Sequence, residues 1–209
     1  MDTKEHIMHV GMQLFAEKGY ETTTIRDIAA KAKVNLALIS YHFGSKEGLL
    51  KNIFQQRALN LQFHIWEISK DKNLNELEKV HLMIEYYIDK IFTNHQFHRV
   101  MMRELFSSQS EEVHSETIDI FTENAKIVIS IIEKGIKKKV FRKTDPELCF
   151  ASIIGTIHHL MHSKILRTRI FGGKEIKDPI LEPSFKKRVT KHIQQMIEHH
   201  LIADKNNNN

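Results

Sequence analysis

The 209-residue sequence predicts an all-α fold of about nine helices, a short N-terminal unit of three helices followed by a larger helical domain. Three observations carry that expectation. Apolar residues recur at helical spacing from one end of the chain to the other. No stretch alternates with the two-residue period of a half-buried strand. Only three prolines and eight glycines punctuate the chain, too few for a turn-rich β fold. With 41% hydrophobic and 27% charged residues, the chain can build an ordinary globular core.

The elements follow in order. In residues 3–18, Ile7, Val10, Gly11, Leu14 and Phe15 fall at i, i+3, i+4, i+7 and i+8. Asp2 or Thr3 caps this helix and Gly19 stops it. Thr24-Ile25-Arg26-Asp27 has capping-box spacing and opens a helix of about two turns, with Ile25, Ile28, Ala29 and Ala32 inward. Asn35 is an N-cap for a short helix from Leu36 to His42, which Gly44 ends. Ser45 caps a long helix reaching about Ser69, marked by Leu49, Leu50, Ile53, Phe54 and Leu61. Further helices are marked by Leu77 to Ile91, Phe97 to Phe106 and Ile118 to Ile136. Pro146 suits a helix start, and one helix is expected from Leu148 to about Leu166. The last runs from Ser184 to about Ile202. Phe171 to Pro183 reads as the one long loop, and residues 206–209 as a frayed tail.

Several classes are disfavoured at once. The single cysteine, Cys149, makes no internal disulfide and no zinc framework, which fits a reducing compartment. The N-terminal residues lack a basic stretch followed by an apolar one, so no secretory signal is expected. The longest apolar stretch, Leu148 to Met161, contains two histidines and is shorter than the ~20 residues of a membrane span. A cytoplasmic protein with no membrane partner is expected. The net charge of +5 invites a nucleic-acid reading, but residues 1–48 hold six basic and six acidic groups. Residues 164–191 hold nine basic against three acidic groups. Net charge is therefore no argument for an N-terminal nucleic-acid site. The basic run Lys134 to Lys143 and the 164–191 region read as solvated faces, with an anionic ligand or acidic partner as the alternative.

The first functional signal lies in the second and third helices. They are joined by a tight turn at Ala32–Val34, a helix-turn-helix arrangement whose second helix can enter the DNA major groove. Helix starts at Thr24, Asn35 and Ser45 offer backbone N–H groups and hydroxyls suited to phosphate.

The stretch Leu14 to Leu50 resembles the DNA-binding domain of the TetR family of bacterial transcriptional regulators. The elements that match are Phe15-Ala16, Gly19-Tyr20, Thr23-Thr24-Ile25, Ile28-Ala29, Ala32, Val34, Tyr41, Phe43, Ser45-Lys46-Glu47 and Leu49-Leu50. The resemblance implies a DNA-binding domain at 1–48 and an effector-binding and dimerisation domain at 49–205. It implies a regulator that binds a double-stranded operator as a homodimer, represses, and is released by a small molecule. It implies phosphate contacts by Thr24, Tyr41 and Lys46, with Leu36, Ala37, Ser40 and Tyr41 facing the groove and His42 beside them. Asn35 belongs to the same end. Two residues depart from the family pattern. Ser40 stands where tyrosine is common, and Lys33 stands where the turn carries glycine. A left-handed non-glycine costs roughly 1 kcal/mol, so Lys33 is expected to leave that conformation, or to add a phosphate contact.

For the second domain the resemblance implies a pocket enclosed by the middle helices and dimerisation through the last two. Met83, Tyr86, Tyr87, Met102, Phe106 and Phe121 are candidate pocket residues, because methionines and aromatics make an adaptable apolar cavity. Taken singly, each reads first as ordinary core. Ala151, Ser152 and Gly155 are small residues at close helical spacing that admit a second helix. With His158, His159, His162, Ile193, Met196 and Ile197 they make the candidate dimer interface. His158 and His162 also have the i, i+4 spacing of a ligand pair, but no carboxylate or cysteine completes a site, and neither metal nor cofactor is expected. No nucleophile motif accompanies the histidines, so no enzyme is expected. The alternative class is a helical small-molecule or metal-binding protein whose N-terminal unit only packs.

Overall fold

The computed structural model describes residues 2–105, 111–172 and 178–202, with side chains for all of these but 105 and 111–114. The described residues form ten α-helices: α1 (Thr3–Lys18), α2 (Ile25–Ala32), α3 (Leu36–Phe43), α4 (Lys46–Lys70), α5 (Glu76–Thr93), α6 (His95–Leu105), α7 (Glu111–Lys137), α8 (Pro146–His162), α9 (Lys164–Phe171) and α10 (Pro183–Leu201). A 3-10 turn, Pro179–Leu181, interrupts the expected long loop. The expected count was nine. The difference lies at Ser163, which ends α8 in extended backbone, while its hydroxyl accepts from the Leu166 N–H and starts α9. The apolar residues run on through this corner, but Ile165 and Leu166 are exposed and the residue that α9 buries is Arg167.

Two packing units make up the chain. The first comprises Met1–Gln62 and Gln96–Thr122. It therefore extends past the expected boundary after residue 48. Its core joins Ile7, Val10, Leu14 and Phe15 of α1, Ile28 and Ala32 of α2, and Ile39 and Phe43 of α3 to Leu49, Leu50, Ile53 and Phe54 of α4. Phe97, Val100 and Met101 of α6 complete it, with the Phe97 ring edge-on to Phe54 at 5.8 Å. Gly48 sits in the first turn of α4 because a Cβ there would lie 2.0 Å from the Phe43 carbonyl oxygen, so α3 ends hard against α4.

The second unit comprises Phe63–His95 and Glu123–Asn209. In it α10 runs antiparallel to α5. Lys186 Nζ donates to Asp89 at 2.7 Å, Gln194 Nε2 to the His81 carbonyl at 3.1 Å, and His81 lies 3.7 Å from Glu198. Beneath these polar ties, Ile84, Ile88, Ile153, Ile157, Ile193 and Ile197 are buried. Arg167 holds the corner between α8 and α9. Its Nε and Nη2 grip the Asp178 carboxylate at 2.8 and 2.7 Å, and Nη1 donates to the Leu160 carbonyl at 2.6 Å. Trp66 of α4, the chain's one tryptophan, keeps 51% of its surface in solvent, with the Lys70 ammonium 5.9 Å from its ring.

Candidate nucleic-acid interface and interior of the second unit

The candidate interface begins at Thr24. Its hydroxyl accepts from the Asp27 N–H at 3.1 Å, and the Asp27 carboxylate accepts from the Thr24 N–H at 2.9 Å. The hydrogen bonds from Thr24 hold the Asp27 carboxyl below its usual range. This capping box fixes the start of α2 and leaves Thr24 exposed at its mouth. At the far end of α2, His6 Nε2 donates to the Ala32 carbonyl at 3.1 Å and ties the helix to α1.

Lys33 then turns the chain. Contrary to the sequence expectation, it keeps the left-handed conformation, at φ 54° and ψ 43°. The compensation is visible in the backbone. Lys33 N–H donates to Ala30, and Val34 N–H to Ala29, so two end carbonyls of α2 are satisfied by the turn. The Lys33 side chain is exposed and meets no carboxylate among the described residues.

Asn35 caps α3, its side-chain oxygen accepting from the Ala37 N–H at 2.9 Å. Ile39 and Phe43 of α3 are buried, which fixes the helix's rotation. Its opposite face presents Leu36, Ala37, Ser40 and Tyr41, the last with 82% of its surface in solvent. Tyr41 stands edge-on to the half-buried His42 ring at 5.1 Å. Of the nine residues expected here, seven are exposed (Thr24, Lys33, Asn35, Leu36, Ala37, Ser40 and Tyr41), while His42 and Lys46 are half-buried.

Lys46 is differently engaged from the expectation. Its ammonium donates to the Tyr20 carbonyl at 3.0 Å and lies 4.2 Å from the centre of the Tyr20 ring. Burial, with Glu47, Glu104 and Glu21 nearby, pushes the Tyr20 phenol up to about 12. Tyr20 therefore stays neutral and Lys46 pins α4 to the α1–α2 turn. Arg26, not among the residues expected here, lies exposed in the first turn of α2 with no carboxylate partner among the described residues. Its two-residue distance from the capping Thr24 was the available signal.

The pocket candidates divide. Met102 and Phe121 pack against the core of the first unit. Met83 and Tyr87 point into the second, where Met83 is 3% exposed. Tyr86 is half-exposed, its ring 4.6 Å from that of His64 and 4.9 Å from the Lys90 ammonium, so it is not an interior residue. Phe106 lies outside the described residues. Tyr87 shares a 2.9 Å hydrogen bond with His158 Nε2. Burial raises the Tyr87 pKa and lowers that of His158, so both stay neutral.

That bond corrects one expected interface residue, since His158 faces Tyr87. Ile193 and Ile197 are corrected too: they are 0% and 2% exposed, filling their own unit's core. The helical spacing was right, but the sequence did not say which stripe of α10 turned inward. Ala151, Ser152, Gly155, His159 and His162 do lie on the open face of α8, and Met196 is half-buried. Among the described residues no three histidine, cysteine or carboxylate groups converge as a metal site, and no helix is long and apolar enough to cross a membrane.

Comparison with known proteins accords with this architecture. The profile described as "Bacterial regulatory proteins, tetR family" matches residues 7–53, and that described as "Tetracyclin repressor-like, C-terminal domain" matches residues 73–162. The probable HTH-type transcriptional regulator YttP of Bacillus subtilis is 39% identical over 56 residues, 27% of this chain and 27% of its own length. The HTH-type transcriptional repressor KstR2 of Rhodococcus jostii is 25% identical over 148 residues, 70% of this chain and 72% of its own. The chain thus spans about a quarter of the first relative's length and about three quarters of the other's. Among solved structures, the transcriptional regulator FadR of Bacillus subtilis in complex with stearoyl-CoA is similar in fold. It has a TM-score of 0.72 and 20% identity, covering 94% of this chain and 98% of that one. The capped α2, the exposed face of α3 and these two profile matches place the chain in the TetR family of bacterial transcriptional regulators.

Proposed function

We propose that the chain is a homodimeric, one-component transcriptional regulator that reads an operator with α3 and is released from it by a small molecule. One observation carries the DNA-binding reading. Leu36, Ala37, Ser40 and Tyr41 form an outward face on a short helix whose other side is anchored by Ile39 and Phe43. A helix built that way offers side chains to base edges. Thr24, Tyr41, Lys33 and Arg26 flank it as phosphate contacts, with the start of α4 supplying backbone N–H groups. Lys46 supports the arrangement from behind, through Tyr20.

Repression is supported by the name of the Rhodococcus relative, and a ligand by the acyl-CoA in the Bacillus structure. Within the first unit, α6 supplies Phe97, Val100 and Met101 to the core behind α3. A ligand that displaces α6 therefore changes the support of the reading helix, and its affinity for the two arrangements sets the shift. The dimer uses the open face of α8. Gly155 is the centre of that face, because a Cβ there would meet nothing within 4 Å in its own chain. Two-fold symmetry then places two copies of α3 on half-sites about 34–36 Å apart, or a multiple.

The test is footprinting of the DNA upstream of the chain's own gene, followed by selection from random duplexes. The expected result is salt-sensitive protection of a palindrome, lost in Tyr41→Ala. Failure to select any sequence from random duplexes overturns the reading.

A further inference from the structure

Resting on the DNA-binding function above, we propose that α3 reads its operator through thymine methyl groups. One or two A·T pairs of each half-site pack their 5-methyls against Leu36 and Ala37. The eight residues of α3 include no arginine, lysine, glutamine, asparagine or carboxylate. Its outward face is therefore without the paired hydrogen-bonding groups that single out a guanine or an adenine edge. What it offers first is hydrocarbon. Leu36, 41% exposed, and the exposed Ala37 are the first two residues of the helix. The N-terminal residues of a reading helix are those that approach base edges. In the major groove of unmodified DNA only thymine presents a methyl, and apolar side chains recognise it by contact.

The polar groups around this face are committed elsewhere or read loosely. The Asn35 side-chain oxygen accepts from the Ala37 N–H at 2.9 Å, so the amide cannot turn both of its polar atoms to an adenine edge. The exposed Ser40 hydroxyl both donates and accepts, and so tolerates more than one base. The His42 ring is half-buried, 5.1 Å from that of Tyr41, and Lys46 is held on the Tyr20 carbonyl. Lys33 and Arg26 lie outside α3, where they serve phosphates. Ile39 and Phe43, 1% and 7% exposed, fix the rotation of the helix, so Leu36 and Ala37 meet the groove in one orientation. From Leu36 to Tyr41 the helix advances about 7.5 Å. That is about two base pairs at ~3.4 Å each, which confines the methyl-bearing step to one or two pairs.

The test uses the full chain and duplexes selected from a random library. In the selected half-sites each thymine is replaced in turn by deoxyuridine, which lacks only the 5-methyl and pairs with adenine in the same way. At one or two positions of a half-site the replacement is expected to weaken binding about fourfold, and about tenfold or more when both half-sites are changed. Thymines elsewhere in the duplex are expected to tolerate it. Leu36→Ala and Ala37→Gly are expected to shrink the difference between thymine and deoxyuridine. Both duplexes are compared on the same protein, so a loss of stability in a variant cancels. Selected duplexes that bind equally well with deoxyuridine at every position overturn the proposal and leave DNA binding standing. So does a deoxyuridine penalty undiminished in both variants. A library that yields no preferred sequence overturns DNA reading itself, and the methyl contacts fall with it.

Discussion

Replacing Lys33 by glycine should make the protein more stable and a poorer DNA binder at once. Lys33 sits at φ 54°, ψ 43°, squarely in the left-handed region, where a side chain costs about 1 kcal/mol or somewhat more. Its side chain is exposed, so nothing packed is lost, and its N–H bond to Ala30 belongs to the backbone and survives. Glycine relieves the strain but adds freedom to the unfolded chain, which takes back part of the gain. The net is about 0.5 kcal/mol of added stability, or about 1–2 °C in Tm for a chain of this size. On DNA the same change removes one exposed cation per protomer. If Lys33 neutralises a phosphate, the slope of log K against log salt falls by about 0.9 per protomer. Lys33→Gln separates the two effects, because glutamine removes the charge but keeps the left-handed cost of an ordinary side chain. Thermal melts and gel-shift titrations across a salt series make the measurement. A Tm that falls in Lys33→Gly would refute the strain argument, and an unchanged salt slope in both variants would remove Lys33 from the interface.

Four more outcomes are expected. Arg167→Ala leaves the Asp178 carboxylate, whose side chain is 11% exposed, without its partner, and should cost about 3–5 kcal/mol in urea unfolding. Burial pushes the Asp178 carboxyl up, but the hydrogen bonds from Arg167 outweigh it and hold the group below its usual value of 3.8. The stability from this depressed group is full above the unfolded value and is lost as pH falls through the lower folded one. Acid unfolding of wild type and Arg167→Met should therefore converge only below about pH 4. Gly155→Leu fills the open face of α8 and should shift sedimentation from dimer to monomer while leaving the helix content unchanged. Lys46→Met removes the tie to Tyr20, and should loosen protection of the α4 amides from hydrogen exchange more than it changes the salt slope of DNA binding.

The helix starts were legible because capping is a local code. Thr24 with Asp27 and Asn35 with the next turn are realised as the sequence implies. The outward face of α3 was legible for a related reason, since an eight-residue helix has only one way to bury Ile39 and Phe43 together. What could not be read were choices settled by distant partners. Ser163 breaks an uninterrupted apolar pattern because Arg167 finds Asp178 beyond the loop. Ile193 and Ile197 turn toward α5 and α8 because polar ties at Lys186, Gln194 and Glu198 set the rotation of α10. Lys46 is drawn to Tyr20 by a carbonyl and a ring that lie 26 residues earlier. Lys33 was misjudged on its intrinsic cost, which two satisfied carbonyls of α2 offset.

Trp66 gives the protein an optical gauge that needs no label. It is the sole indole of the chain, half in solvent on the helix that also anchors α3 at its other end. Every photon of tryptophan emission therefore comes from α4, and its colour and its quenching by iodide report that helix alone. Iodide is the more telling quencher, since the neighbouring Lys70 concentrates anions at the ring. A ligand titration read this way follows the linking helix directly in the native chain.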